Sequence, residues 1–156
     1  MKLKLSDIAM WVGGRVVGNG NFVAGVSTDT RTIGPGSLFV ALKGERYDAH
    51  DFVATARERG ATAALVERVV DADMPQIVVA NTEIALGELA RAVRAERDAR
   101  IVGITGSNGK TTVKTLTASI LGKYGRTHVN AGNLNNEIGV PLTLLAMPET
   151  TQFAVI

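Results

Sequence analysis

The residues best suited to chemistry lie in a glycine-rich segment between a predicted strand and a predicted helix. Gly103–Thr112 reads Gly-Ile-Thr-Gly-Ser-Asn-Gly-Lys-Thr-Thr and follows the apolar run Ile101–Thr105. Apolar residues then recur with helical period in Thr111–Tyr124. Glycines let backbone N–H groups turn toward a phosphate, and a helix N-terminus adds unpaired donors and the positive end of its dipole. The context predicts a P-loop that binds ATP.

Within this loop the residue types indicate separate roles. Lys110 brings a mobile positive charge to the β- and γ-phosphates and is the predicted catalytic residue, while the Thr111 hydroxyl is predicted to bind Mg²⁺. The predicted ATP-binding residues are Gly106, Ser107, Asn108, Gly109, Lys110, Thr111 and Thr112. The spacing departs from the usual P-loop, which has four residues between its first glycine and the Gly-Lys pair. Five residues follow Gly103 here, and two follow Gly106.

The elements around the loop predict a parallel α/β sheet. Predicted strands and helices alternate in the order Ile101–Thr105, Thr111–Tyr124, Thr127–Asn130, Val140–Met147 and Phe153–Ile156. The chain ends at Ile156 with no turn or polar segment after the last strand. We therefore expect residues 100–156 to be the first part of an incomplete ATP-binding domain.

The first 99 residues predict a small mixed α/β domain, so the expected fold class is this N-terminal domain followed by the start of a parallel-sheet P-loop domain that is truncated. Predicted helices are Ser6–Val12 with Ser6 as its cap, Asp51–Arg59 ended by Gly60, and a helix from Asn81 or Thr82 to about Asp98. Predicted strands are Arg15–Val17, Ala24–Ser27, Leu38–Leu42, Thr62–Glu67 and Gln76–Ala80. The apolar period of the last helix includes Ile84, Ala85, Leu89, Ala92 and Val93.

Three polar groups outside the loop allow two interpretations each. The first is the turn Thr28-Asp29-Thr30-Arg31, the second Lys43, Arg46 and His50 on one predicted loop, and the third Asn133, Asn135 and Asn136. Asp29 and Arg31 would hold a polar ligand or pair with each other, and the loop cations would meet a diphosphate or be structural. The asparagines would bind a ligand or cap a helix. The arginine row Arg91, Arg94 and Arg97 is an anion site or a solvated helix face.

At this point the sequence resembles the Mur ligases, which build the peptide stem of bacterial cell-wall precursors. The segments that carry the resemblance are collinear: Ser27–Arg31, Pro35–Gly44, Asp48–Phe52, Thr105–Thr112 and Ala131–Leu145. That family uses the shifted P-loop spacing seen here, with threonine commoner at the position of Ser107. The last segment is similar to the branch of the family that adds D-alanyl-D-alanine.

The resemblance implies an ATP- and Mg²⁺-dependent ligase that joins UDP-N-acetylmuramoyl-tripeptide to D-alanyl-D-alanine through an acyl phosphate. It implies substrate contacts from Thr28, Asp29, Thr30, Arg31, Lys43, His50, Asn135 and Asn136. The family's acidic Mg²⁺ ligand, modified lysine and C-terminal domain have no counterpart in residues 1–156. We therefore expect the 156-residue chain alone to lack ligase activity.

Composition narrows the remaining possibilities. The net charge of +2 and the aromatic content of 4% do not favour a nucleic-acid partner, and the absence of cysteine excludes disulfides. With no signal peptide and no run near the roughly 20 apolar residues of a membrane span, we expect a cytoplasmic monomer that binds small molecules. Two alternatives stay open: a UDP-sugar or nucleotide-binding module, and another P-loop phosphotransferase. A GTPase would need an Asn-Lys-x-Asp segment, which the sequence lacks.

Overall fold

The computed structural model describes residues 2–45, 47–130 and 134–156. The described residues form a five-stranded mixed sheet, a three-stranded parallel sheet and an antiparallel pair of two short strands. The strands are β1 (Leu3–Lys4), β2 (Arg15–Val17), β3 (Phe22–Val23), β4 (Gly25–Ser27), β5 (Ser37–Val40), β6 (Ala61–Val66), β7 (Gln76–Val78), β8 (Arg100–Val102), β9 (Thr127–Val129) and β10 (Phe153–Val155). The helices are α1 (Leu5–Trp11), α2 (Val53–Glu58), α3 (Thr82–Ala95), α4 (Lys110–Leu121) and α5 (Gly139–Ala146). A 3-10 turn, Ala49–Phe52, leads into α2.

The larger sheet has five strands in the order β2-β7-β6-β5-β4. Neighbours from β4 to β7 run parallel, and β2 pairs antiparallel with β7. Its central strands are buried on both faces because their side chains alternate between two cores. Leu38 and Leu65 face the core that includes residues of α1, α3 and α5, while Phe39 and Val66 face the core that includes residues of α2.

The smaller sheet has three parallel strands in the order β8-β10-β9. The chain passes from β8 through α4 to β9, and from β9 through α5 to β10. A parallel pair needs such a crossover, because the chain must return to the same end of the sheet before the next strand. The alternation confirms the predicted α/β pattern and puts the carboxyl ends of all three strands beside the glycine-rich segment.

Helix α5 packs mainly against elements of the five-stranded sheet and its core, and its Thr143 also contacts His128 of the small sheet. It contacts α3 and β4, and Leu145 is buried among the side chains of the large-sheet core. Ile138, Leu142 and Leu144 are partly buried against the same core. This explains why α5 is apolar on every side, since one helix fills the space between two sheets. The predicted domain boundary between residues 99 and 100 stays a prediction. Helix α5 follows that boundary in the sequence but packs with residues that precede it.

Several details differ from the sequence expectations. Ser6 is not a cap: α1 begins at Leu5, directly after β1, and the Ser6 hydroxyl donates to Asp7. Asn81 does cap α3, accepting from the Ile84 amide at 2.8 Å. Ile84 itself is 67% exposed, so its placement on the apolar face was wrong; Leu86 is buried on α3 instead. The helical period locates a face but not its edges, because one residue covers 100° of arc.

Of the arginines Arg91, Arg94 and Arg97, only Arg91 lies on a solvated helix face; the other two are partly buried. Arg91 donates to Glu88 at 2.7 Å, one helical turn away, and Arg94 donates to the Arg97 carbonyl at 3.0 Å. Arg97 lies 3.8 Å from Glu149 in a longer ion pair. These contacts occupy the guanidinium groups with the protein's own acceptors. Among the described residues, no helix is long and apolar enough to cross a membrane.

Candidate functional site: a phosphate loop and a polar turn

The glycine-rich segment forms a loop that ends at the first residue of α4. Gly109 precedes the helix with φ +74°, a left-handed conformation that L side chains rarely adopt, and Gly106 has φ +149°. The ammonium group of Lys110 donates to the carbonyl of Gly106, so the lysine folds back over its own loop. An added Cβ at Gly109 would meet nothing within 4 Å. The glycine is therefore required by backbone conformation, and the loop's outer side is open to a ligand.

A small cavity of about 70 Å³ lies beside the start of α4. Its polar lining comes from Lys110, Thr111, Lys114, Asn130 and Asn135, with Ile104 and Ile156 completing the wall. Ligands of parallel sheets bind at the carboxyl ends of the strands, which is where this cavity lies. The structure thus brings Lys110 and Thr111 together with Asn135. Ser107, Asn108 and Thr112 are exposed and do not line the cavity.

Asn130 was missed by the sequence analysis. It follows β9, its backbone N–H donates to the Val155 carbonyl at 3.4 Å, and its Nδ2 donates weakly to the Leu134 carbonyl at 3.4 Å. The residue is only 7% exposed, and its Oδ1 is buried with no donor among the described residues. Its place directly after a strand of a parallel sheet is the one sequence signal that pointed to it.

These features fit a phosphate ligand accompanied by a divalent cation. The helix N-terminus and the Lys110 ammonium suit phosphate oxygens, and the unpaired Asn130 oxygen suits a hydrogen-bond donor or a cation. In the described ranges 2–45, 47–130 and 134–156, no three His, Asp or Glu side chains cluster as a metal site. The side-chain oxygens that line the cavity are those of Thr111, Asn130 and Asn135.

The second predicted site is the turn between β4 and β5, where Asp29 and Arg31 form a close pair. The Arg31 guanidinium donates to both Asp29 oxygens, at 2.6 Å from Nη2 to Oδ2 and 3.0 Å from Nε to Oδ1. The Arg31 backbone N–H also donates to Asp29 at 2.8 Å. These bonds lower the pKa of the Asp29 carboxyl from 3.8 to about 2 and raise the pKa of Arg31. The Arg31 side chain stays largely exposed, so it remains available to an anion.

An open cavity of about 390 Å³ adjoins this turn. Thr28, Asp29, Thr30 and Arg31 line one side, and Phe39, Tyr47, Ala49 and Phe52 line the other. Tyr47 is 64% exposed and Phe52 46% exposed, which leaves two aromatic faces beside a polar turn. The low aromatic content did not reveal this concentration of rings, because composition carries no position. Such a site suits a ligand that has both a planar ring and polar groups.

His50 is buried with both ring nitrogens engaged within the protein, which favours the structural alternative over the predicted substrate contact. It is 1% exposed, its Nδ1 lies 2.5 Å from Asp48 Oδ1, and its Nε2 accepts from the Glu67 backbone N–H at 2.8 Å. An accepting Nε2 carries no proton, so Nδ1 is the donor to Asp48. Bonds from the His50 amide, the Arg68 guanidinium and the His50 ring hold the pKa of Asp48 well below its usual range.

The other predicted loop and asparagine contacts divide as follows. Lys43 is exposed and its backbone pairs with that of Asp48 in an isolated antiparallel β-bridge, but it does not line the turn's cavity. Asn136 accepts from the Gly139 amide at 2.8 Å, which is the helix-capping alternative at the start of α5. Arg46 and Asn133 lie outside the described residues.

A third cavity of about 320 Å³ joins the turn to the P-loop half of the chain. Thr28, Asp29 and Thr32 line it from the large-sheet domain, while His128, Leu134 and Thr143 line it from the other half. His128 is tied to the Thr143 carbonyl by its Nε2 at 3.1 Å. This cavity shares Thr28 and Asp29 with the cavity at the polar turn, and Leu134 in its lining is the chain neighbour of Asn135 in the P-loop cavity.

Fold and site together define an α/β protein with a P-loop nucleotide site and an adjoining second α/β domain. The chain belongs to the Mur ligase family. The model of the Mur ligase middle domain matches residues 104–156, and the model of the Mur ligase family catalytic domain matches residues 22–94.

Relatives and solved structures agree with this assignment. The UDP-N-acetylmuramoyl-tripeptide–D-alanyl-D-alanine ligase of Escherichia coli is 50% identical over all 156 residues, and that of Bacillus subtilis is 48% identical over 138 residues, 86% of the chain. A crystal structure of MurF from Acinetobacter baumannii has a TM-score of 0.93 and 38% identity over 100% of the chain. MurF ligase from Thermotoga maritima in complex with ADP has a TM-score of 0.75 and 33% identity over 85%.

The chain is shorter than these relatives. It spans 34% of the Escherichia coli protein and 30% of the Bacillus subtilis protein. It spans 35% of the Acinetobacter baumannii chain and 31% of the Thermotoga maritima chain.

Proposed function

We propose that this protein, at its full natural length, is an ATP-dependent ligase that adds D-alanyl-D-alanine to UDP-N-acetylmuramoyl-tripeptide. The observation that carries the proposal is the 50% identity to a ligase of that name across every residue of the chain. The P-loop geometry around Lys110 supports it independently of the name.

At the ATP end, we propose that residues 106–112 bind the nucleotide and Mg²⁺. Lys110 would leave the Gly106 carbonyl and neutralise the phosphates, and the Thr111 hydroxyl would hold Mg²⁺. ATP with Mg²⁺ supplies the phosphoryl group that activates the tripeptide carboxylate as an acyl phosphate, which the dipeptide amine then attacks with loss of phosphate. The chain's own contribution is positioning and charge neutralisation, which dominate phosphoryl transfer.

At the other end, the cavity beside Thr28–Arg31 would hold the uridine nucleotide. Arg31 keeps an exposed guanidinium for the diphosphate, and Lys43 adds a second exposed cation on the neighbouring loop. Tyr47 and Phe52 offer aromatic faces on which a uracil ring can stack. The cleft lined by Thr28 and Thr143 would carry the sugar and peptide toward Asn135 and Asn136.

The same proposal extends to the domain bounds, the cellular compartment and the oligomeric state. Residues 1–99 would form the domain that binds the UDP substrate, and residues 100–156 the first part of the domain that binds ATP. We propose a cytoplasmic monomer, because both substrates are small and polar and the described helices include no membrane span.

The test is release of inorganic phosphate by the protein at its full natural length, with ATP, Mg²⁺, UDP-N-acetylmuramoyl-tripeptide and D-alanyl-D-alanine. We expect release to require both substrates and to fall about 10³-fold or more in Lys110→Ala, since one charge on the transferring phosphoryl is worth several kcal/mol. Lys123→Ala is the matched control, because Lys123 is an exposed lysine just beyond the other end of α4. Uridine nucleotide binding should be unchanged in both variants.

Two results would contradict the proposal in different ways. Phosphate release that does not depend on D-alanyl-D-alanine would mean that the acceptor is wrong and would favour another P-loop phosphotransferase. Uridine nucleotide binding without any phosphate release would favour the alternative of a binding module.

A further inference from the structure

The strongest unexplained feature in the molecule is the buried side-chain oxygen of Asn130. Oδ1 has no donor among the described residues, although Asn130 is more than nine-tenths buried. Leaving a buried amide oxygen unpaired is unfavourable, so such an atom in a native site indicates a missing partner. The amide group is anchored by its Nδ2 to the Leu134 carbonyl. The orphaned oxygen therefore has a defined place in the fold.

The surroundings of Asn130 restrict what that partner can be. Asn130 lines the same cavity as Lys110 and Thr111. Phosphate oxygens only accept hydrogen bonds, and a lysine that neutralises phosphate is directed at them. Lys114 and Asn135 also carry donors in this cavity, but neither donates to Oδ1. Among the groups that a ligand would bring, the donor expected beside the threonine of a P-loop is a water of the divalent cation, because Mg²⁺ dehydrates reluctantly and retains several of its waters.

We propose that Asn130 is a positioning residue for the hydrated divalent cation, and that its Oδ1 accepts a hydrogen bond from a water in that cation's hydration shell. The inference rests on the proposed function, because it takes Mg²⁺ and a nucleotide as ligands of this loop. It adds to that function a residue outside the glycine-rich segment. Thr111 would hold the cation, and Asn130 would orient one of its waters.

This role makes stability and ligand binding respond differently to one substitution. Asn130→Ala removes an unpaired buried oxygen and one long hydrogen bond, that of Nδ2 to the Leu134 carbonyl at 3.4 Å, so the free protein should lose little stability. The same change removes an acceptor from the cation's outer shell, where substitutions typically weaken metal affinity by about tenfold or more. A residue that only supports the fold would show the opposite pattern.

The experiment measures binding of adenylyl imidodiphosphate, an ATP analogue that is not hydrolysed, by calorimetry in a MgCl₂ titration and in EDTA. The protein is used at its full natural length. For Asn130→Ala we expect a rise of about tenfold in the Mg²⁺ concentration that gives half of the maximal increase in affinity for the analogue. The affinity for the analogue in EDTA should be unchanged. Asn130→Asp should lower that concentration, because a carboxylate attracts the cation. Asn19→Ala changes an exposed asparagine between β2 and β3, and its Mg²⁺ response should match that of wild type.

The outcomes separate this inference from the proposed function. Equal loss of affinity in Mg²⁺ and in EDTA would overturn the inference and indicate direct contact with the nucleotide. A Mg²⁺ response like wild type, or a large fall in the melting temperature of the free Asn130→Ala protein, would also overturn it. Failure of the wild-type protein to bind the analogue with Mg²⁺ would overturn the proposed function as well.

Discussion

At the scale of single residues, the ion pair of Asp29 and Arg31 stabilises the turn between β4 and β5 and leaves the Arg31 guanidinium largely exposed. Two parallel bonds from Arg31 and one from its backbone fix the Asp29 carboxylate. The fork geometry of a guanidinium favours this bidentate contact. Because the carboxylate is satisfied within the turn, Arg31 rather than Asp29 is the group that would meet an anionic ligand.

The lowered pKa of Asp29 gives a prediction about pH. The folded value of about 2 lies below the ordinary 3.8, so the pair's contribution to stability is fully present above about pH 4 and is lost as the pH falls toward 2. We expect the urea midpoint of wild type to exceed that of Asp29→Asn at pH 6. The difference should shrink steadily between pH 4 and pH 2.

The matching control is Asp71→Asn, an exposed aspartate on the loop between β6 and β7. Its difference from wild type should stay nearly constant over the same range. A difference for Asp29→Asn that grew on acidification would show that the pair does not stabilise the fold.

At the scale of elements, His50 fastens the loop after β5 to the end of β6. Its ring connects Asp48 to the Glu67 amide, and Arg68 donates to the same Asp48 carboxylate at 2.8 Å. Glu67 in turn accepts from the Thr82 amide at 3.0 Å at the start of α3. One buried ring therefore helps to hold the loop that carries Tyr47 beside the polar turn.

Removing the His50 ring should lower the stability of the fold rather than the affinity for the uridine nucleotide. We expect His50→Ala to lower the free energy of unfolding by about 2–3 kcal/mol, because it opens a cavity and leaves the Glu67 amide without its partner. Urea unfolding measures this. Glu45→Ala, on the exposed part of the same loop, should stay within about 0.5 kcal/mol of wild type.

A direct substrate contact by His50 would give another pattern. Unchanged stability together with a large loss of uridine nucleotide affinity in folded His50→Ala would contradict the structural role.

At the scale of the whole molecule, α5 joins the two halves and α4 leaves one face uncovered. The side chains of Val113, Leu116 and Ile120 on α4 are 50–59% exposed, although they form the apolar side that the sequence predicted. We expect this face to be covered in the full-length protein, since the relatives are about three times as long. Helix α5, by contrast, already has its partners in α3 and β4.

Because α5 belongs to the core of the larger domain, a single truncation in it should weaken both halves. Leu145 is 4% exposed, and we expect Leu145→Ala to cost about 2–4 kcal/mol in unfolding free energy. If binding of ATP at the P-loop changes the affinity for the uridine nucleotide, we expect this coupling between the two sites to be smaller in Leu145→Ala. Both are measurable by urea unfolding and by calorimetry with each ligand present or absent.

The control for this change is Ile84→Ala on the exposed side of α3, which should cost less than about 1 kcal/mol. Loss of stability in Leu145→Ala that left the coupling intact would show that α5 is a core element without a role between the sites.

The sequence by itself determined what depends on local spacing. The P-loop with Lys110 and Thr111, the Asn81 cap and the alternation of strands and helices all follow from neighbouring residues. Short-range geometry is enough there, because turns, caps and amphipathic periods act over a few positions. Tertiary structure alone decided the burial of His50, the orphaned oxygen of Asn130, the aromatic faces of Tyr47 and Phe52, and the docking of α5 on the larger domain. Each of these depends on which distant segments pack together, and pairing between distant segments is not encoded in spacing along the chain.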